Sequence, residues 1–178
     1  VLNVLDHDDW NDFLAHIPTQ FPRAFPENME WPEKNEESLE AELKMHQNFK
    51  WGMAYLCPRG IGLNSWAGTE KKQTQIRRRF SLIGQTRDAM RVWDIRQAVA
   101  AIRELGLGEK PLWVQAQGEM AGNALYASLF TEEPVARLDL HNLPASHHEG
   151  PIFLNVLKIL DMPQALALAT ERTKTRLY

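Results

Sequence analysis

The segment at residues 111–130 carries the clearest pattern for chemistry in the sequence. An apolar run at 112–116 leads into a tight turn at 117–120 that contains Gly118, and then directly into an Ala-rich stretch. A strand that passes through a tight turn into a helix is the layout of a nucleophile elbow, the turn that presents the reactive residue in many acyl-transfer enzymes. The segment therefore predicts an elbow whose turn includes Gly118 and Glu119.

The predicted turn has neither Ser nor Cys where an elbow holds its nucleophile. Placing Ala116 on the first glycine of Gly-x-Ser-x-Gly puts Gly118 at the nucleophile position, and a shift of one residue puts Glu119 there. With Gly118 in this position no covalent acyl-enzyme can form. Glu119 would offer a carboxylate nucleophile, and its alternative role is that of a helix N-terminal carboxylate stabilised by the helix dipole.

His147 is the candidate general base of the sequence. It follows an apolar run at 135–140 and precedes His148 and Glu149. A histidine next to a carboxylate can accept a proton while the carboxylate orients its ring. The alternative is that His147 orders the turn that leads into residues 150–151.

Four residues that follow strand-like runs are candidate substrate-binding groups: Asp6, His7, Arg59 and Gln117. Ligands of parallel sheets bind outside the carboxyl ends of the strands, which is where these residues are predicted to lie. The guanidinium fork of Arg59 matches the geometry of an anionic group, and its alternative is an ion pair with a nearby carboxylate.

Short apolar runs alternate with helix-length segments along the chain. The runs lie at residues 1–5, 51–56, 112–116, 135–140 and 175–178. The first three lack a strict alternation of polar and apolar residues, as is typical of parallel strands covered on both faces. This order predicts an α/β fold with a doubly wound, mostly parallel sheet of about five strands and helices on both faces, in three layers.

Helical periodicity fills the spaces between the runs. Apolar residues at steps of three, four and seven predict a long helix at about 76–105 with a break near Gly84. Asp8 is predicted to cap a helix after the first run, and Asp161 to cap a helix after the fourth run. The other predicted helical segments are 121–130, 152–160 and 163–169.

The segment at 111–130 resembles the elbow of the α/β-hydrolase superfamily, and the five runs resemble its central strands, the third through the seventh. Further motifs are similar to the acetyl xylan esterase and dienelactone hydrolase-like branch, as it occurs in large bacterial proteins. These motifs are Pro58-Arg59-Gly60-Ile61-Gly62, Arg77-Arg78-Arg79-Phe80, Met90-Arg91-Val92-Trp93-Asp94 and Leu143-Pro144-Ala145-Ser146-His147.

The resemblance implies hydrolysis of a carboxylic ester, such as a carbohydrate ester. The turn at 117–120 would then face an oxyanion pocket completed by backbone groups near Asp6 and His7. Because the usual Ser is absent, the alternative is a non-catalytic module that binds carbohydrate or another protein, or supports a larger assembly. A flavodoxin-like or response-regulator-like module is a third hypothesis, since it shares the βα alternation and fold analogy does not decide function.

Composition limits the other function classes. The chain has 178 residues, 44% of them hydrophobic, and a net charge of -3, which predicts one soluble domain that binds neither nucleic acid nor a membrane. Cys57 is the only cysteine, so an internal disulfide is excluded. The six histidines show no spacing typical of a zinc site, and no Gly-x-Gly-x-x-Gly motif follows any of the strand-like runs. We therefore expect no metal and no cofactor.

We predict that residues 1–178 form a single α/β-hydrolase-like domain. Residues 19–48, rich in Pro, Glu and aromatic residues, are predicted to be an irregular acidic insertion or cover, with a helix at 38–47. Because the chain begins and ends in strand-like runs, we expect it to be a truncated part of a larger protein. The sequence leaves the compartment and the oligomeric state open.

Overall fold

The computed structural model describes residues 1–21, 23, 36–49, 51–66, 69–107 and 110–178. Five parallel strands form one sheet, and each of them coincides with one of the predicted runs. The strands are β1 (Leu2–Val4), β2 (Ala54–Leu56), β3 (Trp113–Gln117), β4 (Arg137–His141) and β5 (Lys174–Leu177).

The strand order in the sheet is β2-β1-β3-β4-β5. In the register of β1 with its two neighbouring strands, Val4 is opposite Leu56 of β2 on one side and Ala116 of β3 on the other. The chain winds outward from β1 in one direction to β2 and in the other direction through β3 to β5. A crevice therefore opens between β1 and β3 at the carboxyl end of the sheet, where doubly wound sheets bind their ligands. Flavodoxin-like sheets have the same strand order.

Six α-helices connect these strands within the described part of the chain. They are α1 (His7–Gln20), α2 (Glu36–Asn48), α3 (Glu70–Leu82), α4 (Arg87–Ile102), α5 (Gly118–Phe130) and α6 (Met162–Arg172). None of the helices within the described ranges is long and apolar enough to cross a membrane.

One face of the sheet holds the apolar core. Helix α5 packs against β3 and β4 and lies beside α4 and α6. Successive strand residues point to opposite faces, so the alternate residues of β1, β3 and β4 meet these helices. The strand residues of this core are Leu2, Val4, Val114, Ala116, Leu138 and Leu140.

The opposite face of the sheet is more polar, and helix α1 lies on it. The ring of Phe13 in α1 contacts that of Tyr55 in β2, with centroids 4.9 Å apart. By strand alternation, Asn3 of β1 and Gln115 of β3 point to the same face as Tyr55. The three-layer α/β architecture is thus present, with an apolar layer on one side and a polar interface on the other.

The predicted long helix is two helices. Gly84 adopts φ +74° between α3 and α4, a conformation that glycine reaches without the steric cost of a Cβ atom. Thr86 then caps α4 by accepting a hydrogen bond from the Ala89 N–H at 3.0 Å. The break near Gly84 is therefore confirmed.

The predicted cap of the first helix was wrong by two residues. Asp6, not Asp8, is the N-cap of α1: its carboxylate accepts hydrogen bonds from the N–H groups of Asp8 and Asp9, both at 2.9 Å. The Asp9 carboxylate in turn accepts from the Asp6 N–H, which completes a capping box. Asp161 caps α6 as predicted, also in a capping box.

The segment at 152–160 is largely non-helical, which corrects the predicted helix. Only Val156–Lys158 forms a 3₁₀ turn there. Asn155, which precedes the turn, adopts φ +59° and thereby interrupts a continuous helix. In the segment predicted to be an acidic insertion, helix α2 contains the predicted 38–47 stretch, and residues 22 and 24–35 lie outside the described residues.

Candidate functional site

Gly118 occupies the bend between β3 and α5. Its φ is +54°, in the left-handed region where a residue with a Cβ atom is strained. Among the described residues, a Cβ atom built on Gly118 would meet only the Asp6 Oδ2, at 4.0 Å. The bend thus has the conformation and the open space that a protruding reactive side chain would need, and the residue present there has no side chain.

Glu119, the next residue, carries a carboxylate that faces two guanidinium groups. Its Oε2 accepts a hydrogen bond from Arg91 Nη1 at 2.9 Å, and its Oε1 accepts one from Arg87 Nη2 at 3.4 Å. The side chain is 37% exposed. Both carboxylate oxygens are therefore held in ion pairs, which favours the structural role of Glu119 over the nucleophilic one.

Arg91 is the centre of this charged cluster and is buried, with a side chain only 1% exposed. Besides Glu119, it binds the buried Asp88 carboxylate through Nη1 at 3.1 Å and the Arg59 carbonyl through Nε at 3.1 Å. Asp88 Oδ2 also accepts from the Ile152 N–H at 2.9 Å. The cluster thereby ties α4 and α5 to the loops that follow β2 and β4.

The electrostatics of the cluster are balanced. Burial and then the neighbouring Arg87 lower the pKa of Arg91, while the carboxylates of Glu119 and Asp88 oppose this decrease. Arginine nevertheless stays charged in proteins. Two guanidinium groups and two carboxylates meet here, so the cluster carries no surplus charge with which to hold an anionic ligand.

Arg59 follows β2 and is also paired. Its Nε donates to Asp94 Oδ2 at 2.8 Å, and the Arg59 backbone N–H donates to the same oxygen at 3.0 Å. The second contact of the fork joins Arg59 Nη2 to Asp94 Oδ1 at 2.5 Å. The hydrogen bonds to Asp94 raise the pKa of Arg59. Asp94 thus occupies the guanidinium group of Arg59, which the sequence predicted to bind an anionic substrate.

Cys57, at the end of the same strand, is half-buried. Burial raises the pKa of its thiol to about 11. Since the thiolate is the nucleophilic form, a thiol that stays protonated at neutral pH is unreactive.

Asp6 and His7 are consecutive residues at the start of α1, and Asp6 lies beside the elbow. The Asp6 carboxylate is engaged in the helix cap and is the group nearest to the open space above Gly118. His7 is the exposed first residue of α1. The structure therefore brings Asp6 to the elbow, while His7 lies on the surface of the first helical turn.

Gln117 links the elbow to α1. Its Nε2 donates to Asp9 Oδ1 at 2.8 Å. Burial raises the pKa of Asp9, and the nearby carboxylates of Asp6, Asp12 and Asp8 raise that pKa further. The hydrogen bond from the Asp6 N–H has the opposite effect and lowers the pKa of Asp9. Asp9 is thus a partly buried carboxylate that neutral groups hold in place.

His147 is buried, and both of its ring nitrogens are occupied. Nδ1 lies 2.7 Å from the Pro151 carbonyl, which can only accept, so Nδ1 carries the proton. Nε2 lies 2.7 Å from the Tyr126 hydroxyl and accepts from it in the neutral ring. Burial and then the charge of Asp161 raise the pKa of Tyr126 to about 12, which keeps the hydroxyl protonated. This geometry favours the turn-ordering role of His147.

A cavity of about 510 Å³ lies between the sheet and α1, beside the elbow. Strands β1 and β3 and helix α1 provide most of its described walls. Its polar side chains include Asn3, Asp9, Asp12, Gln115, Gln117 and His141.

Sequence reasoning missed most of this cavity. It singled out Gln117 but not Asn3, Gln115, Asp9 or Asp12. The available signal was the presence of polar amides in otherwise apolar runs, since a strand covered by an apolar layer on both faces would carry none. Among the described residues, no group of three or more His, Cys, Asp or Glu side chains could hold a metal ion.

Comparison with family models, with curated proteins and with solved structures finds no match to this chain.

Proposed function

We propose that the protein is a non-catalytic, hydrolase-like module that binds a small polar molecule beside its elbow. The observation that carries this proposal is Gly118, which holds the bend between β3 and α5 at φ +54°. A nucleophile at this bend would need an activated oxygen or sulfur, and glycine supplies neither.

Glu119 does not replace the missing nucleophile in this proposal. Its charge is stabilised by Arg91 at 2.9 Å and by Arg87 at 3.4 Å. An ion-paired carboxylate holds its electron pairs more tightly than a free one, and attack on an ester carbonyl would require it to leave both partners. The cluster positions the turn instead.

In this proposal His147 does not act as a base at the elbow. His147 donates through Nδ1 to Pro151 and accepts through Nε2 from Tyr126, so neither ring nitrogen is available to a substrate proton. A general base must reach the proton that it abstracts within hydrogen-bond distance. Ester hydrolysis by the usual triad is therefore not supported by these residues.

Binding is supported by the cavity next to the elbow. Its volume of about 510 Å³ is in the range of small-molecule sites, and Gln117 lies in both the turn and the cavity wall. The cavity also opens at the β1–β3 crevice, the usual ligand position in this sheet topology. The partner of the module in this proposal is a small molecule.

Ester hydrolysis by the longest native form of the protein tests the proposal. Short acyl esters and acetylated xylan are the substrates, and Glu119→Gln is the matched variant because it keeps the shape of the side chain and removes its charge. We expect hydrolysis at the buffer rate for both proteins. Turnover by the native protein that Glu119→Gln abolishes, with the circular dichroism spectrum unchanged, would overturn the proposal.

A further inference from the structure

The cavity between the sheet and α1 has walls from several elements. Asn3 comes from β1, Gln115 and Gln117 come from β3, and Asp9 and Asp12 come from α1. Asp9 and Asp12 are three residues apart, so they lie on the same face of the helix. Small-molecule sites combine apolar walls with a few convergent polar groups, and this cavity has that arrangement.

The charge of the cavity is negative. Two carboxylates line it, the partly buried Asp9 and the exposed Asp12, together with His16 and His141, and none of its described lining residues is Lys or Arg. The ion pairs of the described residues include neither Asp9 nor Asp12. A partly buried carboxylate without a cationic partner favours the entry of a positive charge and opposes that of an anion.

Two amide groups of the cavity each direct an N–H donor to an acceptor within the protein. Asn3 uses its Nδ2 to donate to the Ala54 carbonyl at 3.4 Å, and Gln117 uses its Nε2 to donate to Asp9 at 2.8 Å. Their side-chain oxygens are left to accept hydrogen bonds. Acceptors and carboxylates together are complementary to a ligand that is rich in N–H donors.

We propose that this cavity binds a small organic amine in its protonated form, with the ammonium group held by Asp9 and Asp12. The amide oxygens of Asn3 and Gln117 accept its further N–H donors. The rings of Phe13 and Tyr55 form part of the apolar wall along which its methylene groups lie. This inference rests on the proposed binding function and names its ligand class.

The raised pKa of Asp9 agrees with this assignment. Burial is its largest cause, and the neighbouring carboxylates of Asp6, Asp12 and Asp8 also raise it. An ammonium group would supply the missing opposite charge and lower the pKa again.

Calorimetric titration of the full-length protein with two matched probes tests the proposal. Butane-1,4-diamine and butane-1,4-diol have the same length, and only the first is charged at pH 7. We expect the diamine to bind at least about tenfold more tightly than the diol. We also expect Asp12→Asn to weaken diamine binding by about tenfold, since it removes one of the two carboxylates.

Asp8→Asn is the control variant, because Asp8 is exposed in the same helix and does not line the cavity. It should leave diamine binding within about twofold of the native value. Equal binding of diol and diamine, binding of neither, or equal losses in Asp8→Asn and Asp12→Asn would each overturn the amine assignment. Ester turnover, measured separately, tests the proposed function and is independent of these results.

Discussion

Replacement of Arg91 by Met should destabilise the protein strongly, because it leaves the buried Asp88 carboxylate with only the more distant Arg87 Nε, at 4.0 Å, as a cationic partner among the described residues. The Arg91 side chain is 1% exposed and that of Asp88 is 3% exposed. Removing one partner of a buried ion pair costs about 3–5 kcal/mol. For a chain of this size, each kcal/mol lowers the melting temperature by about 2–4 °C, so Arg91→Met should lower it by about 6–20 °C.

Two further variants distinguish the free-energy cost of the unpaired buried charge from a general loss of stability on removing a charged side chain. The double variant Arg91→Met/Asp88→Asn removes the stranded charge and keeps an oxygen for the Ile152 N–H, so it should recover most of the loss. Lys44→Met breaks an exposed pair with Glu40, whose side chains are 72% and 74% exposed. It should cost at most about 0.5 kcal/mol.

Urea denaturation and calorimetry measure these free energies of unfolding. A loss below about 1 kcal/mol in Arg91→Met would contradict this expectation, since the buried Asp88 carboxylate would then tolerate the absence of Arg91. A double variant no more stable than Arg91→Met would refute it as well, because the penalty would then not come from the charge of Asp88.

Three other predictions concern the elbow and the loop behind it. Gly118→Ala should cost about 1–2 kcal/mol in urea denaturation, because its φ of +54° strains a residue with a Cβ atom; an unchanged midpoint would contradict this. Gly122→Ala should cost about 1–3 kcal/mol despite its better helix propensity, because the new Cβ atom would clash with Pro151 Cδ and lie 2.8 Å from Met162 Cε. A gain in stability would show that the loop at Pro151 moves aside without cost. Hydrogen bonds, of which the one from Ser146 has the largest effect, lower the pKa of Asp161 from 3.8 to about 2. The charged Asp161 carboxylate therefore stabilises the fold above pH 3.8, and this contribution is lost as the pH falls towards 2. The difference in urea midpoint between the native protein and Asp161→Asn should therefore become smaller as the pH falls from 3.8 to about 2. A difference that stays constant over this pH range would contradict the lowered pKa of Asp161.

The sheet could be predicted from sequence because apolar runs of strand length alternate with longer periodic segments. The helix break could be placed because Gly84 combines conformational freedom with the start of a new apolar pattern. The bend at Gly118 was predictable for a similar reason, since a small residue is needed where a strand turns directly into a helix. These signals are local, so the chain carries them within short windows.

The contacts that define the candidate site could not be predicted in the same way. Glu119 and Arg91 are 28 residues apart and meet only because α4 and α5 pack side by side. Gln117 and Asp9 are 108 residues apart, and their hydrogen bond depends on how α1 rotates over the sheet. Charge and periodicity indicate which residues are polar, but tertiary packing decides which of them become partners.

The most direct test of the proposed function is a search for a covalent intermediate at the elbow. The native protein is mixed with p-nitrophenyl acetate, quenched in acid on the millisecond-to-second timescale and analysed by intact mass and peptide mapping. We expect no acetyl adduct in the segment 111–130, because Gly118 has no side chain and Glu119 is paired with Arg91. An acetyl adduct on Glu119 that forms and decays at the rate of ester turnover would contradict it.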